Sequence, residues 1–341
     1  MRVVLVASLS LLFACGNDGT STGDDAPADA PTLNGEKLSL TYPTFTVQPG
    51  QEATKCVWMR LPNATEVKVH QLHNVLGSSS HHLIVYRNNM DTTEQLTPVD
   101  CQPFTGALNT TGSIAPIMIT QRADDALFLP DGVAYTFAAN QMIKLEMHYL
   151  NATDEPVDAT ATVEFYLSDP AAIQHEADIL FIGSPDIDIN PMAPFHLKQF
   201  FKVPNYVDLS DSNIFAITGH THHLGIDMQV RVGPSKTGPF TDVYKPAPFS
   251  WSEPITVTHE PKFQVPTGGG FEFECSYMNT TTQQIGFGES ANDEMCFFWA
   301  YYYPSKGSKV CVHTEQIGGA NGLNVCCPGD PTLCGLIEDM F

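Results

Sequence analysis

Short segments rich in β-branched and aromatic residues recur along most of this 341-residue chain, and glycine, proline, asparagine and aspartate separate them. Helical periodicity is scarce, and the chain has no internal repeat. This spacing is typical of antiparallel β-sandwich or jelly-roll domains, so we predict an all-β fold. The predicted strands are residues 38–47, 82–87, 142–150, 159–167, 214–217, 226–232, 270–277 and 297–303.

The chain is long enough for two ordinary domains, each with a core of its own. The clearest boundary follows Ser168-Asp169-Pro170, where a polar stretch rich in alanine begins. We therefore predict two consecutive antiparallel β-sandwich (jelly-roll-like) domains, at residues 36–170 and 171–341. The second domain ends in a loop-rich tail from Gly319 onward, which needs disulfide bonds to hold it.

The formal net charge is −22 at pH 7, because 38 acidic side chains outnumber 16 basic ones. A chain this acidic is repelled by phosphate backbones and by anionic lipid surfaces. We therefore expect no nucleic-acid partner. High solubility is the simpler explanation of the same charge.

The N-terminus has the features of an export signal. Arg2 precedes an apolar run at residues 3–13 that is too short to cross a bilayer as a helix. The sequence Leu12-Phe13-Ala14-Cys15-Gly16 then resembles a bacterial lipobox, in which the cysteine is lipidated and becomes the new N-terminus. We predict a signal peptide at residues 1–15 and a disordered tether at residues 16–35. The protein would be held in the bacterial cell envelope, in the periplasm or at the cell surface, only by the lipid on Cys15; otherwise it is secreted.

The cysteine content also indicates an oxidising compartment. Nine cysteines are present, and without Cys15 eight remain, an even number that suits disulfide bonds. Copper binding by thiolates is the competing explanation, but the chain has no Cys-x-x-Cys pair. The predicted disulfide cysteines are Cys56, Cys101, Cys275, Cys296, Cys311, Cys326, Cys327 and Cys334.

His220 and His222 are the first candidates for metal binding. Side chains two residues apart in a strand share a face, so these two imidazoles can hold one ion while His223 points away. Met295 is the candidate third ligand, because thioether sulfur is soft and selects Cu(I). Two histidines with a methionine therefore favour copper over zinc. By the same alternation Thr218 lies on the metal side of its strand.

A second candidate group consists of His81, His82 and His148. A regular strand places adjacent histidines on opposite faces, so His81 and His82 can share an ion only at a bulge or a strand end. The run Gly77-Ser78-Ser79-Ser80 just before them supplies the flexible backbone that this requires. Glu146 shares the face of His148, and it either orients a ligand or is a solvated strand residue.

The candidate ligands and their neighbours, in this order, resemble the type II copper, ascorbate-dependent monooxygenases: peptidylglycine α-hydroxylating monooxygenase and dopamine β-monooxygenase. The resemblance extends from about Cys56 to Cys311. The matching elements are His81-His82, Leu129-Pro130-Asp131-Gly132-Val133, Leu145-Glu146 with His148-Tyr149 and Asn151, His220-Thr221-His222-His223-Leu224-Gly225, and Asp293-Glu294-Met295-Cys296 leading to Tyr302-Tyr303-Pro304.

This resemblance implies two β-sandwich domains that face one another across a solvent-filled cleft, with one copper ion in each. The electron-donating copper would be held by His81, His82 and His148. The copper that binds dioxygen and substrate would be held by the catalytic ligands His220, His222 and Met295. Ascorbate is the family's reductant, and another one-electron donor of the bacterial envelope is the alternative. The resemblance also implies two disulfides, Cys56–Cys101 and Cys275–Cys296.

Some positions depart from the family. The family's partner for the cysteine at Cys311 would stand near Asn205, so Cys311 is expected to pair within the C-terminal cysteine group, with the connectivity open.

The predicted substrate pocket is formed by Thr218, Phe297 and Trp299. The peptide-amidating branch has arginine, asparagine and tyrosine at these three positions, so glycine-extended peptides are not the expected substrates.

The sequence thus predicts a copper-dependent monooxygenase that hydroxylates a C–H bond of a small organic substrate with dioxygen and a reductant. The alternative is a copper-binding envelope lipoprotein without catalysis, for storage, delivery or sensing. Such a copper-binding protein would explain the soft thioether ligand of Met295, but it would not explain two ligand groups of different composition. A zinc hydrolase is a third hypothesis, but the chain lacks a His-Glu-x-x-His motif, and Met295 argues against zinc.

Overall fold

The structure, a computed structural model, describes residues 32–104, 112–318 and 322–338. The predicted signal peptide, the lipidation site Cys15 and most of the predicted tether lie outside these residues. From Leu33 onward the described residues belong to one compact unit. Among them, no helix has the length and apolar character needed to cross a membrane.

The predicted first domain, called the first half here (residues 36–170), consists of β-strands joined by turns. A short 3-10 turn at Pro170–Ala172 follows it, and the next strand after that turn still pairs with the first half. The strands of the first half are β1 (Lys37–Val47), β2 (Glu52–Arg60), β3 (Val67–Leu76), β4 (Ser80–Asn88), β5 (Gln95–Asp100), β6 (Ile114–Thr120), β7 (Asp124–Phe128), β8 (Val133–Phe137), β9 (Met142–Leu150) and β10 (Val157–Ser168). The strand after the turn is β11 (His175–Glu176), which belongs to the second half by sequence but pairs with β8.

The second half (residues 171–341) is also built from strands, with one helix, α1 (Pro331–Glu338), near its end. Its further strands are β12 (Asp178–Ser184), β13 (Asp188–Ile189), β14 (Pro194–Lys202), β15 (Asn213–His220), β16 (Gly225–Gly233), β17 (Thr241–Tyr244), β18 (Thr256–Phe263), β19 (Gly270–Met278), β20 (Ile285–Gly286), β21 (Cys296–Tyr303), β22 (Lys309–Thr314) and β23 (Leu323–Cys327).

Each half contains two larger sheets. In the first half, sheet I has the order β1-β10-β3-β8-β11, with β7 also paired to β3, and sheet II has the order β5-β2-β9-β4-β6. In the second half, sheet III has the order β18-β15-β21-β12-β22-β23 and sheet IV the order β14-β19-β16-β17, while β13 and β20 form a separate pair. Pairing is antiparallel except between β8 and β11 and between β12 and β22.

All eight predicted strand segments lie within observed strands, so the prediction of an all-β, sandwich-type fold is confirmed. Several strands escaped prediction because their sequences lack a clear alternation. Strand β6 is one of them, since Pro116 interrupts its pattern. The proline is tolerated because β6 lies at the edge of sheet II and its pairing with β4 shifts register at Tyr86.

The central strands of sheet III are buried on both faces, and packing on one of these faces joins the two halves. Along β21, Phe297, Trp299 and Tyr301 belong to a buried apolar cluster that includes the core of the first half. The alternate residues, among them Phe298 and Tyr302, belong to a second cluster shared with sheet IV. Because side chains alternate between faces in a strand, one strand contributes to both clusters. The halves therefore pack against each other through a continuous apolar core.

Four disulfide bonds reinforce the strands. The structure contains Cys56–Cys101 and Cys275–Cys296, the two pairings that the resemblance implied. Cys275–Cys296 joins β19 of sheet IV to β21 of sheet III, one residue after Met295. The C-terminal group forms Cys311–Cys326 and Cys327–Cys334, so Cys311 pairs within that group as expected.

Candidate metal centres

The first histidine group consists of His81 and His82 on β4 and His148 on the neighbouring strand β9. His82 stands opposite His148, and the register shifts between Ser80 and His82. This irregularity is the bulge that two adjacent histidines needed in order to face one ion. One ring nitrogen from each histidine lies within 4.8 Å of the others. Two nitrogens on one ion are separated by at most roughly 4 Å, so small side-chain rotations would complete the site.

The nitrogens of this group that lack partners fit a metal ion. His81 Nε2, His82 Nδ1 and His148 Nδ1 are buried and have no hydrogen-bond partner among the described residues. The other nitrogen of His148, Nε2, donates a hydrogen bond to the Glu52 carboxylate at 3.0 Å. A histidine that ligates a metal commonly donates its second N–H to such an acceptor, which fixes the ring. Three neighbouring histidines, each with a buried nitrogen that has no partner among the described residues, therefore suit an ion held by imidazole alone.

Burial keeps the rings of His81 and His82 neutral. It lowers the pKa of His81 to about 4 and lowers the pKa of His82 well below its usual value, with the neighbouring histidines adding to both shifts. Only the neutral imidazole has a free lone pair for a metal. The group is therefore ready to bind an ion at neutral pH.

The second ligand group consists of His220, His222 and Met295. Its local geometry differs from our prediction, because β15 ends at His220 and His222 lies in the following turn. The two imidazole rings nevertheless lie 5.1 Å apart between centroids. His223 is exposed and donates from Nδ1 to the Ala291 carbonyl, so it points away from the group as expected.

Hydrogen bonds set the orientation of both rings in the second ligand group. His220 Nδ1 donates to Gln121 Oε1 at 2.8 Å, and His222 Nδ1 donates to the Asp293 carbonyl at 2.9 Å. Each ring therefore presents Nε2 as its lone-pair nitrogen, and His222 Nε2 is buried without a partner among the described residues. Burial lowers the pKa of His222 to about 4 and that of His220 well below its usual value.

Met295 is 3% exposed and lies immediately before β21. Its carbonyl accepts a hydrogen bond from the Tyr277 hydroxyl at 2.6 Å. The preceding residue, Glu294, accepts from the backbone N–H groups of His222 and Leu224 at 2.9 and 2.7 Å. These contacts hold the methionine segment against the turn that carries His222. The donor set of this group, two imidazoles and a thioether, is softer than that of the first group and suits Cu(I).

A small central cavity is lined by His82 of the first histidine group and by His220 and Met295 of the second ligand group. Its volume is ≈ 20 Å³, which is enough for about one water molecule. The rings of His82 and His220 meet edge to face there, with centroids 6.4 Å apart. The lining residues are His82, Ile84, Phe104, Ile119, Gln121, Phe181, His220, Glu289, Met295 and Trp299.

The resemblance implied a solvent-filled cleft between the halves, and in this structure the cavity between the two ligand groups has a volume of only ≈ 20 Å³. Apolar side chains from both halves fill most of the space, and Phe104 of the first half packs on Phe181 of the second at 4.8 Å between centroids. The physical reason is the apolar inner face of sheet III, which is removed from water by this packing.

The three residues predicted to form the substrate pocket do not all line the central cavity. Trp299 lines the central cavity. Phe297 is buried and stacks on Phe181, 5.0 Å away between ring centroids, and Phe181 lines the cavity whereas Phe297 does not. Thr218 is not among the lining residues, and its hydroxyl contacts that of Thr256 at 2.7 Å. Phe181, which belongs to β12, is therefore a better candidate for substrate contact than Thr218.

Sequence reasoning missed several polar residues around the two groups. Gln121 and Glu52 each contact a ligand histidine, and Glu289 lines the cavity. Glu289 Oε1 is buried without a hydrogen-bond partner among the described residues. Desolvation, helped by the Glu146 carboxylate, raises the pKa of Glu289 to about 8. No local pattern marks these residues, since each stands alone among ordinary loop or strand residues.

Comparison with known families agrees with the composition of the second ligand group. Residues 175–318 match the family model described as copper type II ascorbate-dependent monooxygenase, C-terminal domain. The matched segment contains His220, His222 and Met295. The similarity inferred from the sequence is therefore confirmed for this segment. The first histidine group lies outside it.

Two solved structures to which this chain is similar resemble it only weakly. The structure of infectious bursal disease virus Gx strain is 10% identical, covers 83% of this chain and 76% of that chain, and has a TM-score of 0.18. An archaeal virus structure described as a triple jelly roll fold with turret assembly is 9% identical, covers 81% and 61% of the two chains, and has a TM-score of 0.17. Scores this low carry no argument about fold or function.

Proposed function

We propose that this chain, whose residues 175–318 belong to the copper type II ascorbate-dependent monooxygenase family, hydroxylates a C–H bond of a small organic substrate. The reaction would consume dioxygen, two electrons and two protons, and would release water with the hydroxylated product. The observation that carries the proposal is that one member of the clustered histidines His81, His82 and His148 lines the same small cavity as two candidate ligands of the second half. The shared lining residues are His82, His220 and Met295.

The two groups suit different tasks. The first histidine group offers three neutral imidazoles, a donor set that tolerates both Cu(I) and Cu(II) and so suits electron transfer. The second ligand group includes the Met295 thioether, which favours Cu(I), the state that reacts with dioxygen. Copper bound at these residues would supply the redox chemistry and the activation of dioxygen, while the protein supplies position and surroundings.

The residues around the cavity would exclude water and place the substrate. Phe104, Phe181 and Trp299 present aromatic surface beside the second ligand group, and these surfaces favour an apolar part of a substrate. Glu289 holds a proton on its carboxyl near neutral pH because burial raises its pKa to about 8. It is the one titratable lining residue other than the histidines among the described residues of the cavity, so it can donate a hydrogen bond to a bound molecule.

A cavity of ≈ 20 Å³ does not admit an organic substrate in this conformation. Entry therefore requires displacement of the lining side chains or separation of the halves at this point. Phe104 and Phe181 line the cavity from opposite halves and contact each other, so we expect this contact to change when a substrate enters. Ascorbate, or another one-electron donor of the envelope, would reduce the protein from outside.

The proposed location follows from the N-terminal sequence. Residues 1–15 have the pattern of an export signal and Cys15 that of a lipidated cysteine, so we propose export with a lipid anchor in a bacterial envelope. Four disulfide bonds suit such an oxidising compartment.

Oxygen uptake by the copper-loaded chain tests the proposal. With a reductant present, a panel of phenyl and aliphatic substrates should include at least one that raises oxygen consumption and yields a hydroxylated product. Metal analysis should give about two coppers per chain, as expected for two ligand groups. Met295→Ile should lower turnover by more than ~100-fold, since even outer partners of a metal ligand cost 10–100-fold when removed.

Met228→Ile is the matched control, because Met228 is a buried methionine of the second half that does not line the cavity. It should retain turnover. Full activity of Met295→Ile would remove the thioether from the reaction.

A copper-binding protein without catalysis is the second candidate, and the small cavity favours it. A storage or delivery protein needs the ligands but no space for a substrate. Such a protein would bind copper in the same stoichiometry but show no substrate-dependent oxygen consumption across the panel.

A further inference from the structure

Gln121 links the two halves at a ligand histidine. It follows β6 in the first half and is 6% exposed. Its Oε1 accepts a hydrogen bond from His220 Nδ1 of the second half at 2.8 Å. Its Nε2 donates to the carbonyl of Trp251, also in the second half, at 2.8 Å. The acceptor that orients His220 thus comes from the opposite half of the chain.

Glu52 makes the complementary link. It lies at the start of β2 in the first half, and its Oε1 accepts from His148 Nε2 at 3.0 Å and from the Ala291 backbone N–H at 2.6 Å. Its Oε2 accepts from the Ser290 hydroxyl at 3.2 Å. Ser290 and Ala291 belong to the loop that leads to Met295 and whose Asp293 carbonyl accepts from His222.

The acceptors decide which nitrogen of each imidazole is free for a metal. Without Gln121, His220 Nδ1 would be a buried donor with no partner, and the ring would be free to turn or to move its proton to Nε2. Leaving a buried donor unpaired costs about 1–3 kcal/mol. Removing such an outer partner from a metal-ligating histidine commonly lowers metal affinity 10–100-fold.

We propose that Gln121 and Glu52 are positioning residues, through which the contact between the halves orients one histidine in each ligand group. The proposal rests on the function proposed above, in that both groups bind copper. Its consequence is that neither centre is complete within its own half. The Met295 centre needs Gln121 from the first half, and the Glu52 carboxylate that orients His148 is itself held by the loop at residues 290–291 of the second half.

A matched set of glutamine variants tests the role of Gln121 in the full chain. Gln121→Leu removes both hydrogen bonds. Gln121→Glu keeps an acceptor for His220 but cannot donate to the Trp251 carbonyl at neutral pH when ionised. Gln141→Leu is the control, because Gln141 is also 6% exposed and its side chain donates only to Asn88, Asn89 and Met142 of the first half.

The first measurement needs no copper. The ¹⁵N chemical shifts of the histidine rings report which nitrogen carries the proton, and His220 should be fixed as the Nδ1–H form in the unaltered chain. Gln121→Leu should shift these signals toward a mixture of tautomers, while Gln121→Glu and Gln141→Leu should keep the Nδ1–H form. An unchanged His220 spectrum in Gln121→Leu would overturn the proposal for Gln121.

The second measurement is Cu(I) affinity by competition with a chelator. Copper–sulfur scattering in the X-ray absorption spectrum identifies the ion at Met295. Gln121→Leu should weaken that centre by 10–100-fold and leave the centre without sulfur unchanged. An affinity within twofold of that of Gln141→Leu would contradict the proposal.

The same competition tests Glu52. Glu52→Ala should weaken the centre without sulfur by 10–100-fold, and it should also weaken the Met295 centre because it releases the loop at residues 290–291. Glu52→Gln keeps one acceptor oxygen and should retain most of the affinity. Glu94→Gln is the control, since Glu94 accepts from the Arg60 backbone within the first half. A Glu52→Ala protein with both affinities unchanged would overturn the role of Glu52.

The two proposals fail in different ways. A chain that binds no copper would contradict the proposed function, whereas the ring spectrum of the metal-free protein would still decide whether Gln121 orients His220. Two bound coppers with unaltered affinities in Gln121→Leu and Glu52→Ala would contradict only the positioning roles.

Discussion

At the scale of single residues, the environment determines the chemistry of each group more than its type does. Glu289 and Glu52 are both carboxylic acids near the two ligand groups. Glu52 accepts from His148, which lowers the pKa of Glu52 to about 2 and keeps it ionised. Glu289 Oε1 is buried without a partner among the described residues, and desolvation raises the pKa of Glu289 to about 8. One side chain is therefore an acceptor and the other a donor at neutral pH.

This difference predicts a pH effect on stability. The pKa of Glu289 is raised in the folded protein, so the folded chain binds more protons than the unfolded chain between about 4.5 and 8. The free energy of unfolding therefore falls as pH rises through this window, because the buried Glu289 carboxyl is less favourably ionised in the folded chain than in the unfolded chain. Glutamine has no such proton, so Glu289→Gln should raise the free energy of unfolding of the copper-free protein by about 3–4 kcal/mol more at pH 8 than at pH 5.

Urea unfolding at the two pH values measures this difference, with Glu94→Gln as the control at an exposed carboxyl. An equal effect of Glu289→Gln at pH 5 and pH 8 would show that Glu289 is ionised throughout.

At the scale of elements, β21 and its neighbours place the second ligand group. Strand β15 pairs with β21 so that His220 stands opposite Phe297, and β12 pairs with β21 on its other side. Gly183 of β12 stands opposite Phe297, and its lack of a side chain makes room for that ring. A Cβ at position 183 would lie 2.1 Å from Phe297 Cδ1 and 2.5 Å from the Cys296 carbonyl oxygen.

We therefore expect Gly183→Ala to destabilise the protein by about 1–3 kcal/mol, the usual cost of overpacking a core. It should also weaken copper binding at Met295, since the strand begins one residue later. Gly286→Ala in β20 is the control, because an added Cβ there would come no closer than 3.9 Å to another described residue. Thermal unfolding and copper competition measure both effects, and a Gly183→Ala protein as stable as Gly286→Ala would contradict this packing.

At the scale of the whole molecule, the shared face of sheet III makes the halves interdependent. Phe215, Trp299 and Tyr301 of the second half lie in the same apolar cluster as the core of the first half. Separating the halves completely would expose this surface to water at a cost of about 25 cal/mol for each Å². Opening that admits a substrate is therefore expected to be confined to the region of the central cavity.

The full chain should consequently unfold in one transition. Calorimetry of the metal-free protein should give a calorimetric enthalpy that agrees with the van't Hoff enthalpy, as for a single cooperative unit. Two resolved transitions would show that the halves are independent domains with a weak contact.

The sequence by itself determined eight strand segments and indicated the candidate ligands. Alternation with a period of two is local, so all eight predicted segments are strands, and the paired histidines and Met295 already indicated copper. Adjacent His81 and His82 required a bulge, and the bulge is present. The turn at His222 was missed because nothing in the alternation marks the end of β15 at His220.

Only the tertiary structure decided what surrounds those ligands. Gln121 reaches His220 across 99 positions of the chain, and Glu52 reaches Ser290 across 238. Such contacts depend on the register of four sheets and on how the halves pack, and no local pattern encodes either. The same packing narrows the gap between the ligand groups, because burying the apolar face of sheet III is more favourable than leaving it in water.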